Sequence, residues 1–136
     1  MMSIVEEQQA AEQEWLDAWH RGPERVRWDR VPLQVGDAAP DIRLPDHTGE
    51  MVRLSSLWAE SPALVLFWRH FGCSCGYDRA ARLTAEYSQY TDAGASVVVI
   101  GQGGAVRSAE YRARTGIPCP VLSDPDRVAY QAYDLL

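Results

Sequence analysis

Two cysteines separated by one serine, Cys73-Ser74-Cys75, are the residues of this chain best suited to chemistry. The run 63–68 before them is short, apolar and rich in strand-forming residues, which predicts a buried strand. The residues after Gly76 predict a helix. A cysteine at a helix N-terminus faces unpaired backbone N–H groups and the positive end of the helix dipole. Both favour the thiolate, which is the reactive form, so the placement predicts thiol redox chemistry.

Of the two thiols, Cys73 is favoured as the nucleophile because it lies nearest the strand exit. The opposite assignment stays open, since Cys75 lies four and seven residues before Arg79 and Arg82, on one helical face where arginine would stabilise a thiolate. A disulfide between the two cysteines requires Cys73 to lie outside the helix, because helical side chains two positions apart point away from each other. Such a bridge would be easily reduced, as suits a catalytic disulfide.

Two residues just before the cysteines are further candidates for the site. His70 could lower the thiol pKa or move a proton, or it could only bind the backbone. Arg69 could offset the thiolate charge or bind an anionic substrate, or it could be a surface charge. His70, Cys73 and Cys75 also offer one nitrogen and two sulfurs, which suits zinc or copper(I). A metal-binding module is therefore an alternative, although its fourth ligand would have to come from elsewhere.

Two later features are interpreted as structural. Cys119, between Pro118 and Pro120, begins a predicted strand and is expected to be buried, not to pair with the redox cysteines. The segment 101–104, Gly-Gln-Gly-Gly, lacks the lysine of one phosphate-binding motif and the spacing of the other. It is predicted to be a flexible turn from strand to helix, near the loop that carries Cys73 and Cys75.

Hydrophobic periodicity predicts alternating strands and helices, and hence a mostly parallel α/β sheet. The strand 63–68 should have neighbours on both sides, so its edge would be covered by the N-terminal hairpin, by another chain or by more of a longer protein. The predicted N-terminal part is a helix at 3–20 and a linker to residue 40, followed by a hairpin at 42–54 and a helical turn at 55–58. Strands are predicted at 63–68, 96–100 and 121–122, and helices at 77–90 and 106–115. Residues 123–126 open a last helix, with Pro125 in its first turn.

Composition narrows the class of protein. The chain has 136 residues, 46% of them apolar, and a net charge of −6, which disfavours a nucleic-acid surface. No apolar run approaches the ~20 residues of a membrane span, and no secretory signal is visible. Three cysteines without such a signal do not form a disulfide scaffold, so a cytoplasmic location is expected.

Three groups of segments carry a family resemblance. Residues 35–41 and 44–49, residues 65–73, and residues 98–103 with 120–126 resemble, in order, the opening, the active-site segment and the later strand and loop of peroxiredoxins. The chain thus resembles the peroxiredoxin-like branch of the alkyl hydroperoxide reductase/thiol-specific antioxidant superfamily. The resemblance implies a three-layer thioredoxin-like fold with an N-terminal β-hairpin and a helical N-terminal extension, and a reactive cysteine at Cys73. It also implies that C-terminal strands of the family are missing here, and it divides the chain into 1–34 (helix and linker) and 35–136 (the domain).

Together, the resemblance and the residues predict a thiol-dependent oxidoreductase or antioxidant that reduces peroxides or disulfides. Cys73 is the site residue that the resemblance implies, and Cys75, His70 and Arg69 are the candidates that the residues themselves add. No metal or cofactor is expected. The expected partners are the peroxide or disulfide, a thiol reductant such as a thioredoxin or a low-molecular-weight thiol, and a second copy in a homodimer. Leu66 and His70 stand where the family carries a proline and a threonine, so peroxide and disulfide both stay open as substrates. A catalytically silent interaction domain, which binds through the N-terminal helix or the sheet edge, is a further alternative.

Overall fold

The computed structural model describes residues 2–22 and 31–135; Trp28 of the predicted linker lies outside them. The elements alternate as expected. They are helix α1 (Ile4–Arg21), strands β1 (Arg43–Pro45) and β2 (Met51–Arg53), a short 3-10 helix (Leu54–Leu57), strand β3 (Ala63–Phe67), helix α2 (Ser74–Asp92), strand β4 (Ser96–Gly101), helix α3 (Ala105–Thr115), strand β5 (Val121–Ser123) and helix α4 (Val128–Ala132). No described helix is long and apolar enough to cross a membrane.

The central sheet has three parallel strands in the order β3-β4-β5. In the register, Val65 lies opposite Val98 and Val99 lies opposite Val121. Strands β1 and β2 form a separate antiparallel hairpin, in which β1 packs near β5. The hairpin therefore does not cover the outer edge of β3, and among the described residues this edge has no strand partner.

The core has two parts, one on each face of the sheet. Strand β4 sits between them, and its residues Val97–Ile100 are at most 4% exposed. Alternate side chains of a strand point to opposite faces, so Val97 and Val99 pack under α2 and α3 while Val98 and Ile100 pack under the hairpin and α4. This layering fixes the carboxyl ends of β3 and β4 side by side, where the loop to α2 begins.

Helix α1 folds back onto the domain. It starts at a capping box, in which the Ser3 hydroxyl accepts a hydrogen bond from the Glu6 N–H and the Glu6 carboxylate accepts one from the Ser3 N–H. Its buried residues Ala11 and Ala18 face the domain, and Ala11 joins the core beneath α2 and α3. The helix is thus docked within the same chain.

Two helix starts differ from the sequence-based expectation. Helix α2 begins at Ser74 and not near residue 77, so Cys73 occupies the N-cap position and Cys75 lies in the first turn. Helix α4 begins at Val128, after a turn that contains Pro125. The Asp124 carboxylate nevertheless caps α4, since it accepts hydrogen bonds from the N–H groups of Val128 (2.9 Å) and Ala129 (2.8 Å). Hydrophobic periodicity does not fix the exact residue at which a helix begins, which explains both differences.

Candidate active site

The candidate site is the redox loop, residues 68–73, which joins β3 to α2. Cys73 has an extended backbone (φ −76°, ψ 126°) at the N-cap, and its carbonyl accepts a hydrogen bond from the Gly76 N–H at 3.0 Å. Its side chain is partly exposed, whereas that of Cys75 is exposed. Cys73 therefore lies outside the helix, which is the condition that a bridge between these two free thiols requires.

The surroundings of Cys73 favour its thiolate. Partial burial raises the pKa of this thiol, but interactions with the Cys75 thiol and with the backbone N–H groups of Cys75 and Gly76, together with the charge of Arg69, outweigh burial and lower the pKa below the ordinary value. The N–H groups act by facing the sulfur, since none makes a full capping hydrogen bond to it. This is the helix N-terminus effect, with the neighbouring thiol as an additional polar partner.

The surroundings of Cys75 disfavour its thiolate. Its interaction with the Cys73 sulfur is the largest influence and raises the pKa of the Cys75 thiol; Arg69 only partly opposes this. Arg79, one of the two arginines that could stabilise a Cys75 thiolate, makes other contacts. Its guanidinium lies 4.1 Å from the centroid of the Trp68 ring, and it donates a hydrogen bond to the Phe67 carbonyl at 3.3 Å. The geometry thus favours Cys73 as the thiolate and Cys75 as the protonated partner.

His70 is buried in the protein, against Trp15 of α1. Its side chain is 7% exposed, and its Nδ1 accepts a hydrogen bond from the Gly72 N–H at 3.1 Å. Burial lowers the pKa of His70; Glu12 opposes this shift and Arg69 adds to it. The imidazole is therefore neutral near pH 7 and is bound to the backbone of its own turn. Of the two roles considered for His70, the structure supports the backbone-binding one.

The glycine turn after β4 makes room for Phe71. A Cβ atom on Gly101 would overlap the Phe71 ring, and one on Gly103 would come within 2.6 Å of it. Phe71 is 3% exposed and stacks on Tyr111 with ring centroids 5.0 Å apart. The glycines at positions 101 and 103 are thus explained by the packing of the redox loop and not by phosphate binding.

A buried hydrogen-bond network supports the loop from beneath. The Trp68 indole N–H donates to the Tyr111 hydroxyl at 2.8 Å, and this hydroxyl donates to the Gly76 carbonyl at 2.6 Å. The Tyr130 hydroxyl lies 2.5 Å from the Trp68 carbonyl and 2.8 Å from the Ile100 carbonyl, so α4 joins the ends of β3 and β4. Burial raises the pKa of both tyrosines, which keeps their hydroxyls protonated as donors. The first turn of α2 is therefore held by Tyr111 of α3, while Tyr130 of α4 holds the backbone at the ends of β3 and β4.

A groove of about 160 Å³ runs along α2 from its second turn. Its floor is apolar and its rim carries two exposed arginines, Arg79 and Arg82, which make no ion pair among the described residues. It lies beside the exposed side of the redox loop, where Arg69 and Cys75 are accessible to solvent. The lining residues are Leu66, Trp68, Arg79, Arg82, Leu83, Glu86 and Tyr90.

The metal-binding alternative is not favoured. Within residues 2–22 and 31–135, no group of three or more His, Cys, Asp or Glu side chains is arranged to hold a metal ion. The His70 Nδ1 accepts the Gly72 N–H, so this nitrogen is not free to bind a metal. Cys119 is fully buried, as expected, and burial raises the pKa of its thiol to about 11.

Comparison with known proteins identifies the family. The AhpC/TSA family model matches residues 35–136. This chain belongs to the AhpC/TSA family. A curated relative of this AhpC/TSA protein is the chloroplastic thioredoxin-like protein AAED1 of Arabidopsis thaliana, 29% identical over 102 residues that make up 75% of this chain and 41% of the relative.

Solved structures show the same fold. Peroxidoxin BcpB from Mycobacterium tuberculosis superposes with a TM-score of 0.69 at 24% identity, over 73% of this chain and 64% of that one. A secreted disulfide oxidoreductase of the same organism, described as homologous to E. coli DsbE, superposes with a TM-score of 0.59 at 18% identity, over 69% and 68% of the two chains. The predicted thioredoxin-like α/β fold and the predicted family are both confirmed. This AhpC/TSA protein spans 41% of the Arabidopsis relative and 64% of Peroxidoxin BcpB.

Sequence reasoning missed several residues that shape the site. Trp15 contacts His70 with ring centroids 4.7 Å apart, although it lies 55 positions earlier in the chain. Gln102 binds the Trp15 indole, and Tyr111 and Tyr130 hold the backbone around the loop. The glycines flanking Gln102 were the one available signal, because a Gly-X-Gly turn after a buried strand indicates that a bulky group lies close by.

Proposed function

We propose that this protein is a thiol-dependent oxidoreductase in which Cys73 is the attacking thiolate and Cys75 resolves the product. The observation that carries the proposal is the asymmetry of the two thiols at the start of α2. The pKa of Cys73 is lowered by its polar surroundings, while that of Cys75 is raised by Cys73. Membership of the AhpC/TSA family supports the same chemistry.

With a peroxide substrate, the Cys73 thiolate attacks one peroxide oxygen. The O–O bond breaks, the leaving oxygen takes a proton to become an alcohol or water, and Cys73 becomes a sulfenic acid. The Cys75 sulfur then attacks the Cys73 sulfur, which releases water and forms the Cys73–Cys75 disulfide. A thiol reductant, a thioredoxin or a low-molecular-weight thiol, supplies two electrons and two protons to restore both thiols.

With a disulfide substrate, the first step is a thiol–disulfide exchange. Cys73 forms a mixed disulfide and releases one thiol, and Cys75 then displaces the second thiol. The position of the family's threonine holds His70, which is buried, carries no hydroxyl, and uses its Nδ1 to accept the Gly72 N–H. This observation favours testing disulfides alongside peroxides.

Arg69 is the proposed electrostatic partner of the site. Its charge lowers the pKa of both thiols, and its side chain is exposed at the open side of the loop. Self-association through the uncovered edge of β3 and a cytoplasmic location stay predictions.

The deciding experiment is a short pulse of one equivalent of hydrogen peroxide, cumene hydroperoxide or oxidised glutathione, followed by intact-mass spectrometry. We expect a loss of two hydrogens in the wild type, and a stable adduct or sulfenic acid at Cys73 in Cys75→Ser. The Cys119→Ser variant is the matched control, because it removes a buried thiol and should react like the wild type. If Cys73→Ser is oxidised as fast as the wild type, the proposal is wrong.

A further inference from the structure

Helix α1 lies directly against the redox loop, although it precedes the region that matches the family model. Its backbone passes so close to Gly72 that a Cβ atom there would overlap the Gln8 carbonyl and approach the Glu12 N–H within 3.1 Å. Gly72 is the residue immediately before Cys73. The inner flank of the loop is therefore covered by α1, while the flank with Arg69 and Cys75 is exposed.

Trp15 is the side chain of α1 that connects to both ends of the turn before Cys73. Its ring packs on His70 at 4.7 Å, and His70 in turn binds the Gly72 N–H. Its indole N–H donates to the Gln102 side-chain carbonyl at 2.6 Å, and the Gln102 backbone N–H donates to the Arg69 carbonyl at 3.3 Å. One tryptophan thus restrains the turn through two separate routes.

The helix that carries Trp15 is itself anchored at several points. Glu14 makes a two-point ion pair with Arg107 (2.7 and 2.9 Å), and Glu7 makes one with Arg114 (2.6 and 2.8 Å). One turn after Trp15, the Trp19 ring covers the Arg127 guanidinium at 3.8 Å. These contacts lie away from the cysteines, so they hold α1 in place without touching the redox loop.

We propose that Trp15 is a positioning residue that holds the Arg69–Gly72 turn, and through it the Cys73 sulfur, in place at the start of α2. The inference rests on the proposed function only in taking Cys73 as the reacting thiol. Without Trp15, the turn loses its contact with α1 on one side and the fixed Gln102 side chain on the other. The sulfur then no longer stays in front of the N–H groups of Cys75 and Gly76, which are among the groups that lower its pKa.

The test measures the rate of iodoacetamide alkylation of Cys73 against pH, in the full chain with Cys75→Ser so that only one accessible thiol reacts. Trp15→Ala is compared with Arg114→Gln, which removes an ion pair that anchors α1 and whose arginine bonds to Glu7 and Met2, not to Trp15 or the redox loop. We expect Trp15→Ala to raise the pKa of Cys73 by about one unit, which lowers alkylation by up to about tenfold at pH values below that pKa. Arg114→Gln should leave the rate within about twofold of the parent, although both variants remove contacts of α1 and lower stability towards urea.

Two milder variants keep the test decisive if Trp15→Ala fails to fold. Trp15→Phe keeps a ring against His70 but removes the donor to Gln102, and Gln102→Leu removes the acceptor while Trp15 remains. Each should produce part of the shift, and the double variant should produce less than the sum because both remove the same contact. Alkylation profiles identical to the parent in all Trp15 and Gln102 variants, or an equal shift in Arg114→Gln, would overturn the inference.

The outcome is separate from that of the peroxide and disulfide experiment. Alkylation needs no redox substrate, so a Trp15-dependent titration of Cys73 stands even if no peroxide or disulfide oxidises the protein. Conversely, rapid oxidation of Cys73 combined with a titration that does not depend on Trp15 would support the proposed function and refute the role of Trp15.

Discussion

At the scale of single residues, two chemically identical side chains two positions apart acquire opposite properties. Cys73 is the N-cap, with an extended backbone that leaves its sulfur in front of the helix, while Cys75 is already helical and exposed. The pKa of the first thiol is lowered and that of the second is raised, because a proton on Cys75 is stabilised by negative charge on Cys73. The difference in pKa between the two thiols therefore follows from the residue at which α2 begins.

This asymmetry predicts a difference between two substitutions of Cys75. Cys75→Ala removes the thiol that interacts with the Cys73 sulfur, so the pKa of Cys73 should rise and its alkylation at pH 7 should slow. Cys75→Ser keeps a hydroxyl donor at the same position, so the pKa of Cys73 should stay closer to that of the wild type. Rate–pH profiles of iodoacetamide alkylation measure both, with Cys119→Ser as a control that should change neither. Identical profiles for the alanine and serine variants would contradict the role assigned to the Cys75 thiol.

At the scale of elements, the site is a meeting point of loops that follow neighbouring parallel strands. Phe71 from the loop after β3 fills the space left by the missing side chains at Gly101, the last residue of β4, and at Gly103, in the turn after it. Tyr130 from α4 binds the carbonyls at the ends of both strands. The redox loop is thus closely packed and hydrogen-bonded on its inner side, which holds Cys73 at the N-terminus of α2.

The packing of Phe71 predicts a steep penalty at one glycine and none at another. Gly101→Ala should lower the free energy of unfolding by about 1–3 kcal/mol, because its Cβ would overlap the Phe71 ring in a closely packed core. Gly104→Ala is the control, since a Cβ there meets nothing within 4 Å, and its effect should be small. Urea denaturation measures both.

A rescue experiment checks the cause. Adding Phe71→Ala to Gly101→Ala should cost much less than the two separate losses added together, because the overlap is then relieved. Strictly additive losses would show that the ring is not what restricts position 101.

At the scale of the whole molecule, side chains near the C-terminus contact segments from the first third of the chain. Arg127 is fully buried under Trp19 of α1 and donates a hydrogen bond to the Trp19 carbonyl at 3.1 Å. The Tyr133 hydroxyl donates to the Pro40 carbonyl at 2.7 Å. Cys119 itself is fully buried in the core under α2 and α3.

The burial of Cys119 predicts a loss of stability at alkaline pH. Its pKa is raised to about 11 in the folded protein, whereas an unfolded thiol loses its proton near pH 8.5, at about the value of free cysteine. Between these values the unfolded state binds fewer protons, so stability falls as pH rises, by at most about 1.4 kcal/mol per pH unit. Urea denaturation from pH 7.5 to 9.5 measures the slope below the range in which unfolded tyrosines titrate.

The other two thiols must be removed for this measurement, because the lowered pKa of Cys73 acts in the opposite direction. The parent is therefore Cys73→Ser with Cys75→Ser, and the comparison adds Cys119→Ala. We expect the alkaline decline to flatten in the triple variant. An equal decline in both proteins would show that another group causes it.

The amino-acid sequence by itself determined the order of elements, the parallel sheet, the position of the cysteines at a strand–helix junction and the family. These properties follow from hydrophobic periodicity and from motifs that are local in the chain. The start of α2 was predicted about three residues late, and three features of the site lay beyond the sequence pattern. They are the acidity of Cys73 relative to Cys75, the inward placement of His70, and the contact of Trp15 with the redox loop. The first depends on the exact residue at which α2 begins, and the other two depend on α1 packing against a loop that is distant in sequence. Periodicity encodes neither the exact boundary nor the distant contact, so only the tertiary structure decided them.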